Sequence, residues 1–429
     1  MLIGAVADDV TGATDLCLML SREGMKTVQV MGVPDRHEDL PEADAIVIAL
    51  KSRTIEPAEA VRQSVLAARS LLDRGAEQLL FKYCSTFDST DRGNIGPVAE
   101  ALQDLTGNDL TIACPSFPAA GRTVYKGHLF VNGRLLSESP LKDHPLTPMR
   151  DPDLVRVLQR QTARTVGLLD WPVINDGEAA IRAALDRQRA AGLRIVVADT
   201  LSDQDLRTLG AACIDMKLVT GGSGIGMGLA SEYRRRGRFE MREQSDRMPA
   251  SRGRAAILAG SCSVATRNQI DYATQAGAPA LRLDIEAIRD GRQDEAGIAE
   301  WVAAQDAGSM PIVYSSAGPD ELAKIQSRFG RETSGELIEQ TLGGVAKLLL
   351  QRGFAQFIVA GGETSGAVIN ALGVKSLSIG PEIDPGVPWT RSLSGRDVTL
   401  ALKSGNFGGP DFFRRAWSML DVEAADERD

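Results

Sequence analysis

The stretch MLIGAVADDVTGATDLCLML, residues 1–20, decides how the rest of the chain is read. Leu2–Ala7 is a short apolar run of the kind that forms a buried strand. Two carboxylates, Asp8 and Asp9, follow it. From Thr11 onward Ala13, Leu16, Cys17 and Leu20 recur with helical spacing, and Gly24 supplies a C-terminal stop. A buried strand that passes through a polar turn into an amphipathic helix opens a βαβ unit, so a parallel sheet covered by helices is expected. With no basic segment ahead of the apolar run, these residues read as a first strand, not as a signal peptide.

The same alternation continues outward. Val28–Met31, Ala45–Leu50, Leu79–Lys82 and Leu110–Ala113 read as further buried strands, and a helix is expected from Pro57, a residue suited to a first helical turn. Leu129-Phe130-Val131 and Arg134-Leu135-Leu136 flank Asn132-Gly133, the signature of a type I′ hairpin. A second strand series runs through Ala255–Leu258, Ala280–Leu283, Ile312–Tyr314, Gln356–Val359, Ser376–Ile379 and Val398–Leu402. Between the two series lies an arginine-rich, aperiodic stretch, 231–254, read as a solvated helix end and linker rather than a phosphate-binding patch. The expected fold is α/β with two domains, each a mostly parallel sheet flanked by helices, and an antiparallel hairpin insertion in the first. The boundaries fall at 1–230, 231–254 and 255–420, with an acidic tail at 421–429.

Composition narrows the function. The 429 residues carry 48 Lys+Arg against 57 Asp+Glu, a net charge of −9 that argues against a general nucleic-acid binder. No apolar run is long enough to span a bilayer. Five scattered cysteines without a CxxC pair, and three histidines without HExxH, argue against zinc chemistry and a disulfide framework. A reduced, cytoplasmic setting is expected.

In open α/β sheets ligands bind at the carboxyl ends of strands, so the junctions that follow strands come first. At the first, Asp9 or Thr11 can cap the helix, Gly12 leaves room for a ligand to approach the backbone, and the second carboxylate of Asp8-Asp9 remains to accept a proton or bind a polyol. A purely structural cap is the plain alternative. At the second, Lys82 closes a strand and Ser85 and Thr86 follow, a cationic, hydroxyl-rich wall suited to a small hydroxylated carboxylate. The alternative there is an ordinary turn with Lys82 snorkelling outward. Arg122 can hold a carboxylate bidentately.

The third junction carries Gly260, Ser261 and Ser263. The fourth, Gly361-Gly362-Glu363-Thr364, joins a strand to a helix. Helix N-termini favour anions, so two such turns make a phosphate cradle, with the loop at Gly405 as a further wall. Neither a Walker A loop nor G-x-G-x-x-G occurs. The run Gly221–Gly228 has the wrong spacing and reads as close helix packing or a mobile turn.

These junctions resemble the four-carbon acid sugar kinase family, and within it the 3-oxo-tetronate 4-kinases. The segments that carry the resemblance are ADDVTGATD (7–15), FKYCSTFDST (81–90), GNIGPV (93–98), GRTVYKGHLFVNG (121–133), VTGGSGIGMGLA (219–230), GSCSVATRNQ (260–269), FIVAGGETSGAV (357–368), GPEIDPGVPW (380–389) and LALKSGNFG (400–408). The resemblance implies an N-terminal acid-sugar domain, a C-terminal ATP domain and catalysis in a cleft between them. It places ATP on Ser261, Ser263, Gly361, Gly362, Glu363, Thr364 and Gly405. It places the acid sugar on Asp8, Asp9, Lys82, Ser85, Thr86 and Arg122, near Gly12. Asp9, with Asp8 second, takes the 4-hydroxyl proton. Mg²⁺ is expected with ATP, Glu363 being a candidate ligand, but no metal residues are assigned. The expected partners are ATP and an acid sugar, with no nucleic acid or membrane, and a homo-oligomer is compatible. The competing readings are a D-threonate or D-erythronate kinase, a catalytically silent sugar-acid sensor, and a dehydrogenase disfavoured by its missing fingerprint.

Overall fold

Runs such as IGAVA, AIVIA and QLLFK hold almost no polar side chains, and each is buried along its whole length, as strands between two helix layers must be. The computed structural model describes residues 1–35, 39–143, 147–242, 248–306, 308–315, 318, 327–328 and 330–421. The chain divides into two units, Met1–Gln244 and Ser245–Asp429.

The first unit holds strands β1 (Ile3–Ala7), β2 (Thr27–Met31), β3 (Ala45–Ala49), β4 (Gln78–Lys82), β5 (Thr111–Cys114), β6 (Arg122–Tyr125), β7 (His128–Val131), β8 (Arg134–Leu135), β9 (Val166–Leu169), β10 (Ile195–Ala198) and β11 (Leu218–Gly221). Eight of them form a parallel array in the order β2-β3-β1-β4-β11-β5-β10-β9. The remaining three make a separate antiparallel sheet, β6-β7-β8, turning at Asn132 (φ 50°) and Gly133 (φ 79°), the left-handed pair that a type I′ turn requires. Helices Val10–Arg22 and Pro57–Asp73 form where expected, the second with Pro57 in its first turn. Strands β6, β9, β10 and β11 were not expected; each is only four residues long, and β11 ends in glycine.

The glycines 221–228 serve packing. A Cβ at Gly224, Gly226 or Gly228 would run into Ser116 O, Leu16 Cδ1 or Leu206 O respectively. Their absence lets helix Ser223–Arg235 lie directly on its neighbours, including helix Asp203–Cys213.

The second unit adds β12 (Met248–Pro249), β13 (Arg254–Ala259), β14 (Ala280–Arg282), β15 (Ile312–Tyr314), β16 (Phe354–Ala360), β17 (Ser376–Asp384), β18 (Val387–Ser392), β19 (Thr399–Lys403) and β20 (Leu420–Asp421). Its array runs β14-β15-β13-β16-β19-β18-β17, parallel from β14 to β19 and antiparallel at β18 and β17. Strand β18, which contains Pro388, was not expected. A register shift in β17 between Ile379 and Glu382 brings Glu382 opposite the proline. Each unit has its own apolar core, one around Phe81, Tyr83 and Leu102, the other around Trp389, Phe412 and Ile358.

The stretch 231–254, expected as a linker, carries regular structure at both ends. Helix Ser223–Arg235 runs into it, and β12 and the first residue of β13 lie within it. Its arginines pair with acids: Arg234 with Glu23, Arg235 and Arg236 with Glu232, Arg238 with Glu77. Residues 243–247 of that stretch, and 422–429 of the expected acidic tail, lie outside the described residues.

Candidate functional site

In the first unit β1 lies between β3 and β4, at the point where successive connections leave to opposite sides. This is the switch point at which open sheets bind ligands. All three strands are parallel, so their carboxyl ends deliver residues 8–9, 51–53 and 82–83 to one edge. Backbone bonds stitch the loops together: Asp8 N–H donates to Lys82 O (3.0 Å), and Ser52 N–H donates to Asp8 O (2.9 Å). Buried Asn94 holds the second loop, its Nδ2 donating to the carbonyls of Ser52 (2.7 Å) and Ile55 (2.9 Å).

The side chains form a charge cluster. Arg53 grips Asp8 with two bonds, Nε to Oδ2 (2.9 Å) and Nη2 to Oδ1 (2.7 Å), and the same Nη2 donates to Asp9 Oδ1 (2.6 Å). Asp9 is also the helix N-cap, accepting from Gly12 N–H (3.1 Å) and from the Thr11 hydroxyl (2.8 Å). Lys82 is 2% exposed, so it does not snorkel; its Nζ donates to Tyr83 O (3.0 Å). A Cβ at Gly12 would collide with Asp9 Oδ1 and stand 2.8 Å from Lys82 Nζ. Gly12 therefore lets Asp9 and Lys82 approach each other. The space a side chain would take at Gly12 is filled by these two groups.

The two carboxylates are driven apart in acidity. Burial pushes Asp8 up, and Arg53 only partly opposes it. Burial also works against a charged Asp9, but Arg53, Lys82, the Thr11 hydroxyl and Gly12 N–H outweigh it and hold Asp9 below the usual carboxylate range. Asp9 keeps 19% of its side chain exposed against 7% for Asp8, so it is the accessible member. The geometry thus offers an ionised, reachable carboxylate backed by two cations.

Ser85 and Thr86 are buried in the loop after β4, where Thr86 donates to Asp88 (2.8 Å) and meets Cys84 Sγ (2.9 Å). Arg122, at the start of β6, donates to Ala120 O and lies within electrostatic reach of Cys84, Asp15 and Asp88; burial lowers its affinity for a proton.

In the second unit the carboxyl ends of the neighbouring strands β13, β16 and β19 gather the remaining candidates. Gly361 sits at φ 128°, ψ 133°, a backbone region open to glycine almost alone, and begins helix Gly362–Leu372 with no side-chain cap. A Cβ there would stand 2.9 Å from Thr364 Oγ1, and one at Gly405 would strike Ser261 Oγ. Gly361 N–H donates to Lys403 O (2.8 Å), and Ser261 N–H to Ala360 O (3.1 Å). Ser263 caps helix Val264–Gln275 and donates to Gly405 O (2.5 Å). Ser261, Ser263, Gly361, Thr364 and Gly405 therefore meet in one place. Gly362 and Glu363 occupy the first turn of the helix, Glu363 exposed. An uncapped helix start beside glycine and hydroxyl groups suits an anion, each such terminus being worth about 0.3–1 kcal/mol.

Five residues of these sites escaped the reading of the sequence. Arg53 and Asn94 organise the first. Thr266, Gln269 and Lys403 organise the second, Lys403 with its Nζ fully buried under the Gly405 loop. The available signal for Arg53 was its position just after a strand; for Lys403 it was the same placement as Lys82, at the end of an apolar strand.

One unit thus gathers a charged side-chain cluster, and the other a glycine- and hydroxyl-lined helix start, each at the carboxyl ends of parallel strands. The class of protein, a two-domain phosphotransferase, follows from the matches to known proteins. Residues 3–229 match the sugar-binding N-terminal domain and residues 256–413 the nucleotide-binding C-terminal domain. The chain belongs to the four-carbon acid sugar kinase family, ATP-using phosphotransferases with an alcohol group as acceptor. It is 51% identical to the 3-oxo-tetronate kinase of Burkholderia multivorans over 99% of this chain and 98% of that protein. Identity is also 51% to the 3-oxo-tetronate kinase of Cupriavidus necator, over 98% and 97% of the two chains. A crystal structure of a Salmonella typhimurium LT2 protein, 42% identical, superposes with a TM-score of 0.85 over 96% of this chain and 98% of that one. Among the described residues no helix is long and apolar enough to cross a membrane.

Proposed function

We propose that this kinase transfers the γ-phosphoryl group of ATP to the 4-hydroxyl of a 3-oxo-tetronate in the catabolism of carbohydrate acids in the cytoplasm. The observation that carries this reading is 51% identity, over nearly the whole length, with two kinases of that name. Residues 1–230 bind the acid sugar and 255–420 the nucleotide.

The residues support a division of labour. Asp9 accepts the proton of the 4-hydroxyl as that oxygen bonds to the γ-phosphorus and the bond to the ADP oxygen breaks. A carboxylate of low pKa suffices, because the proton moves as the new bond forms. Asp8 stays locked on Arg53 and keeps that cation against Asp9. Lys82 and Arg122 balance the substrate carboxylate, and Ser85 and Thr86 supply hydroxyl groups to the polyol. The Gly361 turn, Ser261, Ser263, Thr364 and Gly405 receive the phosphates. Phosphoryl transfer is mostly positioning and charge stabilisation, which such groups provide.

Among the described residues no three His, Cys, Asp or Glu side chains cluster as a resident metal site. Mg²⁺ would arrive with ATP, since the ion keeps most of its waters and needs one or two carboxylates besides phosphate oxygens; Glu363, exposed in the first turn of helix Gly362–Leu372, is the candidate ligand.

A coupled assay of ADP release over 3-oxo-tetronate, D-threonate and D-erythronate tests the substrate. The 3-oxo acid is expected to give the highest kcat/KM. A higher value for either reduced acid would reassign the substrate, and tight acid binding with no turnover would make the protein a sensor.

A further inference from the structure

We propose that Lys403 is a positioning residue for the nucleotide: its enclosed ammonium draws the carbonyls of loop 404–407 inward and so aims the loop's N–H groups at the phosphates. The inference rests on the reading that ATP binds in the second unit.

Lys403 closes β19 and is 0% exposed, so it does not touch a ligand itself. Its Nζ donates to Ser404 O (3.0 Å), Gly405 O (3.0 Å) and Phe407 O (3.1 Å), and stands 3.1 Å from Thr266 Oγ1. The hydroxyls of Thr266 (3.0 Å) and Ser263 (2.5 Å) bond to Gly405 O as well. Gln269 Nε2 extends the pattern, donating to Phe407 O (3.0 Å), Gly408 O (2.9 Å) and Gly409 O (3.1 Å).

The consequence follows from peptide geometry. In a trans peptide the N–H points away from the C=O of the same unit, and the described chain contains no cis peptide. With the carbonyls of Ser404, Gly405 and Phe407 turned toward the lysine, the N–H groups of Gly405, Asn406 and Gly408 face the other way. The next peptide shows what such an N–H does. Gly408 O turns inward to Gln269, and Gly409 N–H, facing out, is bonded to the carboxylate of Asp384 (2.9 Å). Successive outward N–H groups form an anion-binding nest. This one borders the Gly361 turn, because Gly405 packs on Ser261 and Ser261 on the end of β16.

The protonation state of Lys403 bears on the nest. Burial brings its ammonium down to about 7, and Asp384, itself paired with Arg415, is the charged group that opposes the fall. The ammonium shares three hydrogens among three carbonyls and the Thr266 hydroxyl, whereas the neutral amine has two and holds the carbonyls less firmly. Nucleotide affinity therefore weakens as pH rises through this range.

The test is calorimetric binding of an ATP analogue, with Mg²⁺, to the full-length chain between pH 6.5 and 8.5. In K403M the analogue is expected to bind at least about tenfold more weakly at pH 6.5, with an affinity that no longer changes with pH, so that the gap to the wild type narrows as pH rises, and with acid-sugar binding unchanged. T266V and Q269L, which keep the lysine, cover the case in which K403M fails to fold. Both are expected to weaken the analogue by a smaller factor, and T266V, lacking one acceptor of the ammonium, moves the pH midpoint downward. Wild-type affinity and pH profile in all foldable variants would overturn the role of Lys403 alone. No binding by the wild-type chain would overturn the nucleotide reading and this inference with it.

Discussion

The two sites occupy equivalent places in their sheets, the carboxyl ends of adjacent parallel strands, and are made of opposite materials. In the first unit charged side chains do the work: Asp8, Asp9, Arg53 and Lys82 bond to or crowd one another in a buried cluster. In the second, backbone does it: an uncapped helix start, glycines at 361 and 405, and a loop whose carbonyls are tied down. Each site also contains a buried lysine as the last residue of a strand, Lys82 on β4 and Lys403 on β19. Lys82 meets one carbonyl and lies beside the Asp9 carboxylate; Lys403 meets three carbonyls and a hydroxyl. The same residue at the same topological position thus stands beside a carboxylate in one unit and under a loop in the other. What surrounds the ammonium decides its role. The materials also match the proposed ligands. A short hydroxy acid needs side chains that reach it and one that takes a proton, whereas a polyphosphate is large enough to be held by peptide groups.

Substitutions can break this contrast. Asp9→Asn should have the largest effect, lowering kcat by about 10²–10⁴ while leaving analogue binding in the second unit unchanged. A near-native rate would move the proton acceptor to Asp8. Arg53→Met should cost about 3–5 kcal/mol in denaturant unfolding at pH 7, because it strands the buried Asp8 carboxylate and takes a partner from the part-exposed Asp9. The pH dependence has a definite sign. Asp9, held below its ordinary pKa, contributes stability at neutral pH that fades as pH falls through its folded value; Asp8, held above its own, favours folding once protonated. Without Arg53 both carboxyls rise, so the penalty of the variant should shrink on acidification. A penalty that is constant with pH would mean that Arg53 acts through packing.

Gly361→Val forces a branched residue to φ 128° and a Cβ against Thr364. It should raise the KM for ATP by about tenfold or more and spare acid-sugar binding. An unchanged KM would remove that turn from the nucleotide site. Lys82→Ala is the mildest, raising the KM for the acid sugar by about tenfold or less. If only the ATP constant moved, the ligands of the two units would be exchanged.

Much of this was legible in advance, for local reasons. Asp8 and Asp9 stand out because two carboxylates end an apolar strand, and Gly361 because a glycine pair separates the VA of β16 from a helix. Asn132-Gly133 announces its hairpin in two residues. Arg53 could not be read the same way: KSRT at 51–54 has no glycine and no motif, and its importance comes from β3 lying beside β1. Lys403 looks like any charged residue ending a strand; only the loop folded over it shows why it is buried. The strands β9 to β11 are too short for a periodicity to register, and Pro388 hides β18 until its partner's register shift is seen.

Hydrogen–deuterium exchange with each ligand alone tests the central contrast most directly. An ATP analogue should slow exchange in peptides covering 260–264, 361–365 and 404–409 and leave 8–12, 51–53 and 82–86 unaffected, while a tetronate should do the reverse. Nucleotide protection concentrated at 8–12 and 82–86, with none at 361–365 or 404–409, would contradict the account.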